Sequence, residues 1–411
     1  MKLLISLFLS ICLFMSSSVV WCGTAIEPKG FILASNYFGF NLFEQLSKSN
    51  EKESVKKNIF FSPYSISMTF AMLNEGLGGH TSKQVCHTFG YDLAKLTNKT
   101  MISDSVRESI DRLAKSAEKN SFTLRTANAM IAAKNFDILN SYKTSVREKF
   151  NGELFEVDTE KEPDQVKKLI NDWIANKTEN RIEQMIKGPL PNIKMALLNA
   201  VYFKGSWKLK FEANETVNGT FTDSHNNKYD NVEFMNTKEY FNVGDLKEIN
   251  SIIVELPYGG EDLSMYAILP NDKNSDMTHI KKALNPWYIE AAIGSLYNNE
   301  VKIKFPKFSF KTEYDLAPTL MKMGAKHIFS GNGDFSGITN STKMAIDQVK
   351  HASTIDINED GSVATAATTT MHFYSAGRYK TSTYEFDHPF IFFIRNNHNG
   401  NLLFIGELNR F

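Results

Sequence analysis

Cys86 stands directly before His87, and a thiol next to an imidazole is the first pairing in this chain that could make a nucleophile. Catalytic partners must converge in space, however, and adjacency along an ordinary helical stretch does not supply that, so Cys86 reads as a structural thiol. The run Gly76-Leu77-Gly78-Gly79 could cradle a phosphate, but no Gly-Lys-Ser/Thr follows it, and it reads as a helix stop and turn. There is no G-x-S-x-G elbow, H-E-x-x-H, C-x-x-C or G-x-G-x-x-G after a strand, so hydrolase, zinc-protease, redox and dinucleotide chemistry all lack their motifs. The nine histidines show no i, i+4 pairing. No metal and no cofactor are expected, and enzyme chemistry is poorly supported.

The elements that would carry any site belong to a globular chain. Of 411 residues, 42% are hydrophobic, 12% aromatic and 22% charged, which excludes disordered and collagenous classes. Lys+Arg and Asp+Glu both number 46, so no overall field draws the protein to nucleic acid or an anionic membrane. Three cysteines exclude a disulfide-built scaffold. Lys2, the apolar run Leu3 to Phe14, Ser16 to Ser18 and the small residues Gly23 to Ala25 have the layout of a secretory signal peptide. It is expected over residues 1–22, with cleavage between 18 and 25. Five sequons, at Asn98, Asn176, Asn214, Asn218 and Asn340, fit passage through the secretory route, and two or three are expected to carry glycans.

Ser62 before Pro63 is a helix start, and Ile66, Phe70, Leu73 and Leu77 recur at helical spacing. A second amphipathic helix is expected from Asp164, with Val166, Leu169, Ile170, Trp173 and Ile174 on one face. Met195 to Phe203 reads as a strand buried on both faces, and Val301 to Phe305 alternates as a half-buried strand. Tyr314 to Met323 shows helical spacing again. Phe390 to Ile394 and Leu402 to Ile405 read as two apolar strands joined through the turn formers Asn396 to Gly400. With no repeat and no linker, this mixture predicts one large α+β domain. From Ser362 to Thr383, 13 of 22 residues are Ser, Thr or Ala, and loops this long in compact domains are usually functional or disordered.

Five segments together resemble the serpin family over nearly the whole mature length. They are Asn58-Ile-Phe-Phe-Ser-Pro-Tyr-Ser65, Leu198-Asn-Ala-Val-Tyr-Phe-Lys-Gly-Ser-Trp207, Leu256-Pro-Tyr258 with Ala267-Ile-Leu-Pro270, Val301 to Phe310, and Tyr384-Glu-Phe-Asp-His-Pro-Phe-Ile-Phe-Phe-Ile394. The resemblance implies a single domain with three β-sheets, about nine helices and an exposed reactive-centre loop near residues 359–385. It also implies a suicide inhibitor of serine proteases, in which the cleaved loop enters the main sheet as a new strand.

On that resemblance the hinge is Glu359-Asp-Gly361 followed by Ser362, Val363, Ala364, Ala366 and Ala367. Alternation would send Ser362, Ala364, Ala366, Thr368 and Thr370, all small, to the buried side. Val363 departs from the acidic residue usual there, but it faces outward. The shutter maps to Ser62, Ser65, Asn199 and His351, and the breach to Trp207. Counting from the hinge puts the scissile bond at Ser375-Ala376; counting back from Pro389 puts it at Arg378-Tyr379. The first suits an elastase-like or, through neighbouring Phe373 and Tyr374, a chymotrypsin-like protease. The second suits a trypsin-like one. The alternative is a non-inhibitory serpin that binds a partner, such as a component of a protease cascade like coagulation or complement, a hormone or a polysaccharide. A monomer is expected, without nucleic-acid or membrane partners. Glycosaminoglycan binding is not expected, because Arg107, Arg112, Lys115 and Lys119 alternate with Glu108, Asp111 and Glu118.

Overall fold

In a computed structural model, residues 27–53, 56–119, 122–188, 193–275, 277–341, 344–360 and 381–411 are described. The expected signal segment and loop residues 361–380 lie outside them. Helix α1 (Gly30–Asn50) and the short strand β1 (Ile59–Phe61) lead into α2 (Pro63–Glu75). There the Ser62 hydroxyl accepts the Ser65 N–H at 3.1 Å and Pro63 sits in the first turn, a hydroxyl cap followed by a ring already set to helical φ. The glycine run carries the chain from α2 into α3 (Gly79–Thr88), and α4 (Lys99–Lys119) follows.

The middle of the chain supplies β2 (Phe122–Ala133), α5 (Asn140–Phe150), β3 (Glu153–Val157), α6 (Pro163–Lys177) and β4 (Met195–Gly205). Next come β5 (Val217–Thr222), β6 (Lys228–Leu246), β7 (Ser251–Pro257), β8 (Leu263–Pro270), α7 (Met277–Ala283) and α8 (Pro286–Gly294). The last part holds β9 (Tyr297–Pro306), β10 (Phe308–Asp315), α9 (Ala317–Met323), β11 (Gln348–Ile357), β12 (Ser382–Glu385), β13 (Phe390–Asn396) and β14 (Leu402–Leu408).

The main sheet has five strands in the order β10-β11-β4-β2-β3. The other two expected sheets are joined into a nine-stranded one by the long strand β6. Its residues 243–246 pair with β7, and residues 234–243 pair with β9. A large aromatic core fills the space behind the main sheet. Phe60 stacks on Phe404 at 4.9 Å between ring centres, and both side chains are fully buried. In front, α6 lays Val166, Ile170 and Ile174 over Ala127, Ala129, Ala196, Ala200 and Ala352 of the sheet.

Two expectations need correction. Leu169 does not join the buried stripe of α6; it is 49% exposed, because the flat alanine face accepts only the narrow ridge of Val166, Ile170 and Ile174. Tyr314 is a strand residue, not the start of a helix. Pairing of β10 with β11 runs through Asp315, and the helix begins only at Ala317, with Pro318 in its first turn.

Candidate functional site: the seam between β4 and β11

β11 runs parallel to β4 from Gln348 opposite Ala196 to Thr354 opposite Tyr202. Each also has an antiparallel neighbour, β10 for β11 and β2 for β4. Beyond Thr354 the two strands part: Ile355 to Ile357 pair only with β10, and Phe203 to Gly205 only with β2. The chain leaves β11 at this open end. A segment turning back from there would run antiparallel to both strands, exchanging one parallel ladder for two antiparallel ones.

A polar row crosses the sheet in the middle of the seam. Tyr314, His351, Asn199 and Asn128 stand opposite one another on β10, β11, β4 and β2. His351 is 1% exposed. Its Nε2 accepts the Ser62 N–H at 3.3 Å, so Nδ1 carries the proton and donates to Asn199 Oδ1 at 2.5 Å. The Asn199 amide donates to Ser65 Oγ at 2.5 Å and also reaches Asn128 Oδ1. Ser65 Oγ donates in turn to Asn128 Oδ1 at 3.2 Å, and Thr69 lies 3.4 Å from the same oxygen. Burial pushes the His351 imidazole down to about 3, so the ring is neutral and the row is uncharged at physiological pH. Thus Ser62, Ser65, Asn199 and His351, more than 280 residues apart at the extremes, meet in one network tying the start of α2 to three strands. Asn128 and Thr69 belong to it, while the Tyr314 ring only lies alongside His351, with centres 6.4 Å apart; none of the three was noticed for this in the sequence. Asn128 and Asn199, single amides interrupting the apolar runs of their strands, were the available signal.

The open end of the seam is built differently. Trp207 is 3% exposed and stacks on Tyr258 at 4.6 Å. Its indole N–H donates to Asn358 O at 2.9 Å and its backbone N–H to Asp360 O at 3.1 Å. Gly205, which ends β4, must be glycine, since a Cβ there would meet the Tyr258 ring at 2.7 Å. Glu359 accepts from Thr216 Oγ1 at 2.8 Å and pairs with Lys307 at 3.2 Å, while Lys307 also reaches Glu233 at 3.2 Å. Burial alone would raise the Glu359 carboxyl; the hydrogen bonds from its own backbone, Thr216 and Lys307 outweigh it and hold it below the usual range. Asp360 sits 3.6 Å from Lys210.

The remaining expected hinge residues, Gly361, Ser362, Ala364, Ala366 and Ala367, and both scissile bonds, Ser375-Ala376 and Arg378-Tyr379, lie outside the described residues. All five sequon asparagines are exposed; in one sequon the Thr178 side chain is fully buried, bonded to Ile174 O at 2.8 Å. On α4, Arg107 pairs with Asp111 at 3.3 Å and Arg112 with Glu108 at 2.7 Å. No group of three or more His, Cys, Asp or Glu among the described residues could hold a metal ion. Cys86 is partly buried in α3, and burial pushes its thiol up, away from the reactive thiolate.

The serpin (serine protease inhibitor) family model matches residues 33–410. Intracellular coagulation inhibitor 1 of Tachypleus tridentatus is 33% identical over 382 residues, covering 92% of this chain and 88% of that protein. The leukocyte elastase inhibitor of Bos taurus is 31% identical over 386 residues, covering 92% and 98%. Human thyroxine-binding globulin superposes with a TM-score of 0.82 at 25% identity, covering 92% and 98%. The seam, the polar row beneath it and these matches across nearly the whole described chain lead to one conclusion: the protein belongs to the serpin family.

Proposed function

We propose that the protein is a secreted inhibitor of serine proteases that acts as a suicide substrate. The observation that carries this reading is the parallel seam between β4 and β11, open at the end where the chain leaves β11. The protease serine attacks a loop carbonyl, the peptide bond breaks, and the amine leaves with the downstream chain while the upstream arm stays bound as an ester. The freed arm, starting at Ser362, then enters the seam and carries the acylated protease with it. Inserting about ten residues forms on the order of ten backbone hydrogen bonds, each worth ~1 kcal/mol net. Insertion is therefore strongly downhill once the loop is cut, and the uncut fold persists as a kinetic trap. Relatives named as a coagulation inhibitor and an elastase inhibitor support the reading of inhibition. The apolar leader and the exposed sequon asparagines support secretion and glycosylation.

The target is a serine protease of the trypsin-like kind if Arg378 is the bait, or of the elastase or chymotrypsin-like kind if Ser375 is. Incubation with a panel of such proteases should give adducts that survive SDS, and the mass of the released fragment identifies the bond. A start at Tyr379 assigns Arg378 and a start at Ala376 assigns Ser375. Cleavage without an adduct for every protease would contradict inhibition. It would favour the second reading, a non-inhibitory binding protein. That reading draws on the arm length, three residues too long if Arg378 is cut, and on the likeness to thyroxine-binding globulin.

A further inference from the structure

His80 lies in the first turn of α3, and His327 opens a short 3-10 turn (His327–Phe329) that follows α9. Their rings meet, with centres 4.8 Å apart and planes at 62°. The backbone that carries them is locked together. Gln84 Oε1 accepts the N–H of Lys326 at 3.0 Å and that of His327 at 2.9 Å. The Asp334 N–H donates to Thr81 Oγ1 and the Gly78 N–H to Asp334 O, both at 2.9 Å. Thr81 and Ile328, the residues that follow the two histidines, are buried. The two imidazoles therefore stand on a fixed base, so little backbone entropy is lost when something binds both.

The rings themselves are open to a ligand. His80 is exposed and His327 is partly exposed, and among the described residues neither has a carboxylate within ion-pair distance. His87 and His398, by contrast, each reach one, Asp92 and Asp262, at 2.8 Å. Since the Gln84 oxygen is taken by backbone N–H groups, its amide nitrogen is what faces His80 Nε2, at 3.3 Å. That nitrogen therefore holds a lone pair while Nδ1 carries the proton. This neutral form is the one that ligates metals, and the bond it would give up is a long one to a neutral amide. Asp334 brings a carboxylate beside Gly79, the residue before His80, and so offsets the exposed Lys326 next to His327.

An imidazole turns about its Cβ–Cγ bond without moving its centre, so the distance between centres decides whether one ion can take a nitrogen from each ring. At a metal–nitrogen distance of about 2.0–2.1 Å the ion lies about 3.2 Å from each ring centre. Centres 4.8 Å apart then subtend about 97° at the ion, between the octahedral right angle and the tetrahedral angle. Two neighbouring positions of either geometry are thus satisfied. Among the described residues no third His, Cys, Asp or Glu joins the pair, so water completes the shell. Imidazole suits nickel, copper and zinc, whereas magnesium and calcium prefer oxygen. We propose that His80 and His327 together bind a divalent transition-metal cation, which clips α3 to the turn after α9. The site does not depend on the inhibitory reading above.

The test titrates the untagged, full-length protein calorimetrically with Ni2+ in a buffer that does not coordinate metals. Wild type should bind one ion at least tenfold more tightly than His80→Gln or His327→Gln does. The double variant should fall no more than about threefold below either single one, because the chelate is lost with the first ring. His87→Gln and His398→Gln should stay within about twofold of wild type, and a roughly hundredfold excess of Mg2+ should not compete. Undiminished affinity in a folded His80 or His327 variant, or an equal loss in His87→Gln or His398→Gln, overturns the site. A second measurement needs no variant. Zn2+ should protect His80 and His327, but not His87 or His398, from modification by diethyl pyrocarbonate, read by peptide mass. Equal modification of His80 and His327 with and without Zn2+ overturns the site as well.

Discussion

The middle of the seam and its open end are both held by hydrogen bonds, but their electrostatics are opposite. In the middle, His351, Asn199, Asn128 and Ser65 are neutral and buried, and each bond passes directly to the next. At the open end, Glu359, Lys307, Glu233, Asp360 and Lys210 are charged and water reaches them; Glu359 and Lys307 keep 17% and 26% side-chain exposure. A buried neutral network costs the full desolvation of a group when one partner is lost, whereas partly exposed ion pairs contribute little and are screened by salt. The seam is therefore locked firmly at its centre and weakly at the end where a new strand would enter. The alanine-rich face under α6 fits the same division, since small side chains interlock little with the helix that covers them.

The largest expected effect concerns the entering strand. Ser362→Arg should abolish adduct formation while the fold stays intact, because an unpaired charge would have to enter the sheet, at a cost of several kcal/mol. Persistent adducts on gels would show that the hinge register is wrong. Next is the centre of the seam. Asn199→Ala removes the hub of the polar row and strands His351 and Asn128, and it should lower unfolding free energy in urea by about 3 kcal/mol. A loss below about 1 kcal/mol would mean that the row does not lock the sheet.

Acid should find the centre as well. The folded His351 stays neutral down to about pH 3, while in the unfolded chain the same ring takes up a proton below about pH 6.5. Its contribution to stability is thus fully present above pH 6.5 and is lost as pH falls toward 3, by up to about 1.4 kcal/mol per pH unit. The pH dependence of urea unfolding should be shallower in His351→Gln over that window; equal slopes would break the assignment of a neutral ring. The smallest effect belongs to the open end. Lys307→Ala should cost about 0.5–1 kcal/mol at low salt and less at high salt. A loss as large and as salt-independent as that of Asn199→Ala would erase the contrast between the two regions.

Much of this arrangement was legible in the sequence where local signals coincide with structure. Ser62-Pro63 is a cap that works within one turn, and Met195 to Phe203 is apolar enough to be a central strand on any reading. The four expected members of the polar row came from family resemblance, since nothing local marks His351 as the partner of Ser62. Asn128 and Tyr314 escaped for a related reason. Their roles depend on strand register, which places Asn128 opposite Asn199 across 71 residues of chain. Tyr314 was misplaced because the inner-face residues of β10 run straight into the helical spacing of α9, and periodicity alone cannot mark where one ends. Leu169 was misplaced because the pattern shows an apolar face without showing how flat its partner is.

Thermal melting before and after a single cut within residues 373–380 tests the central claim most directly. A freed arm that becomes the strand between β4 and β11 should raise the melting temperature sharply, with new protection from hydrogen exchange along both strands. A cut protein that melts at the temperature of the intact one, with β4 and β11 exchanging as before, would contradict insertion into this seam.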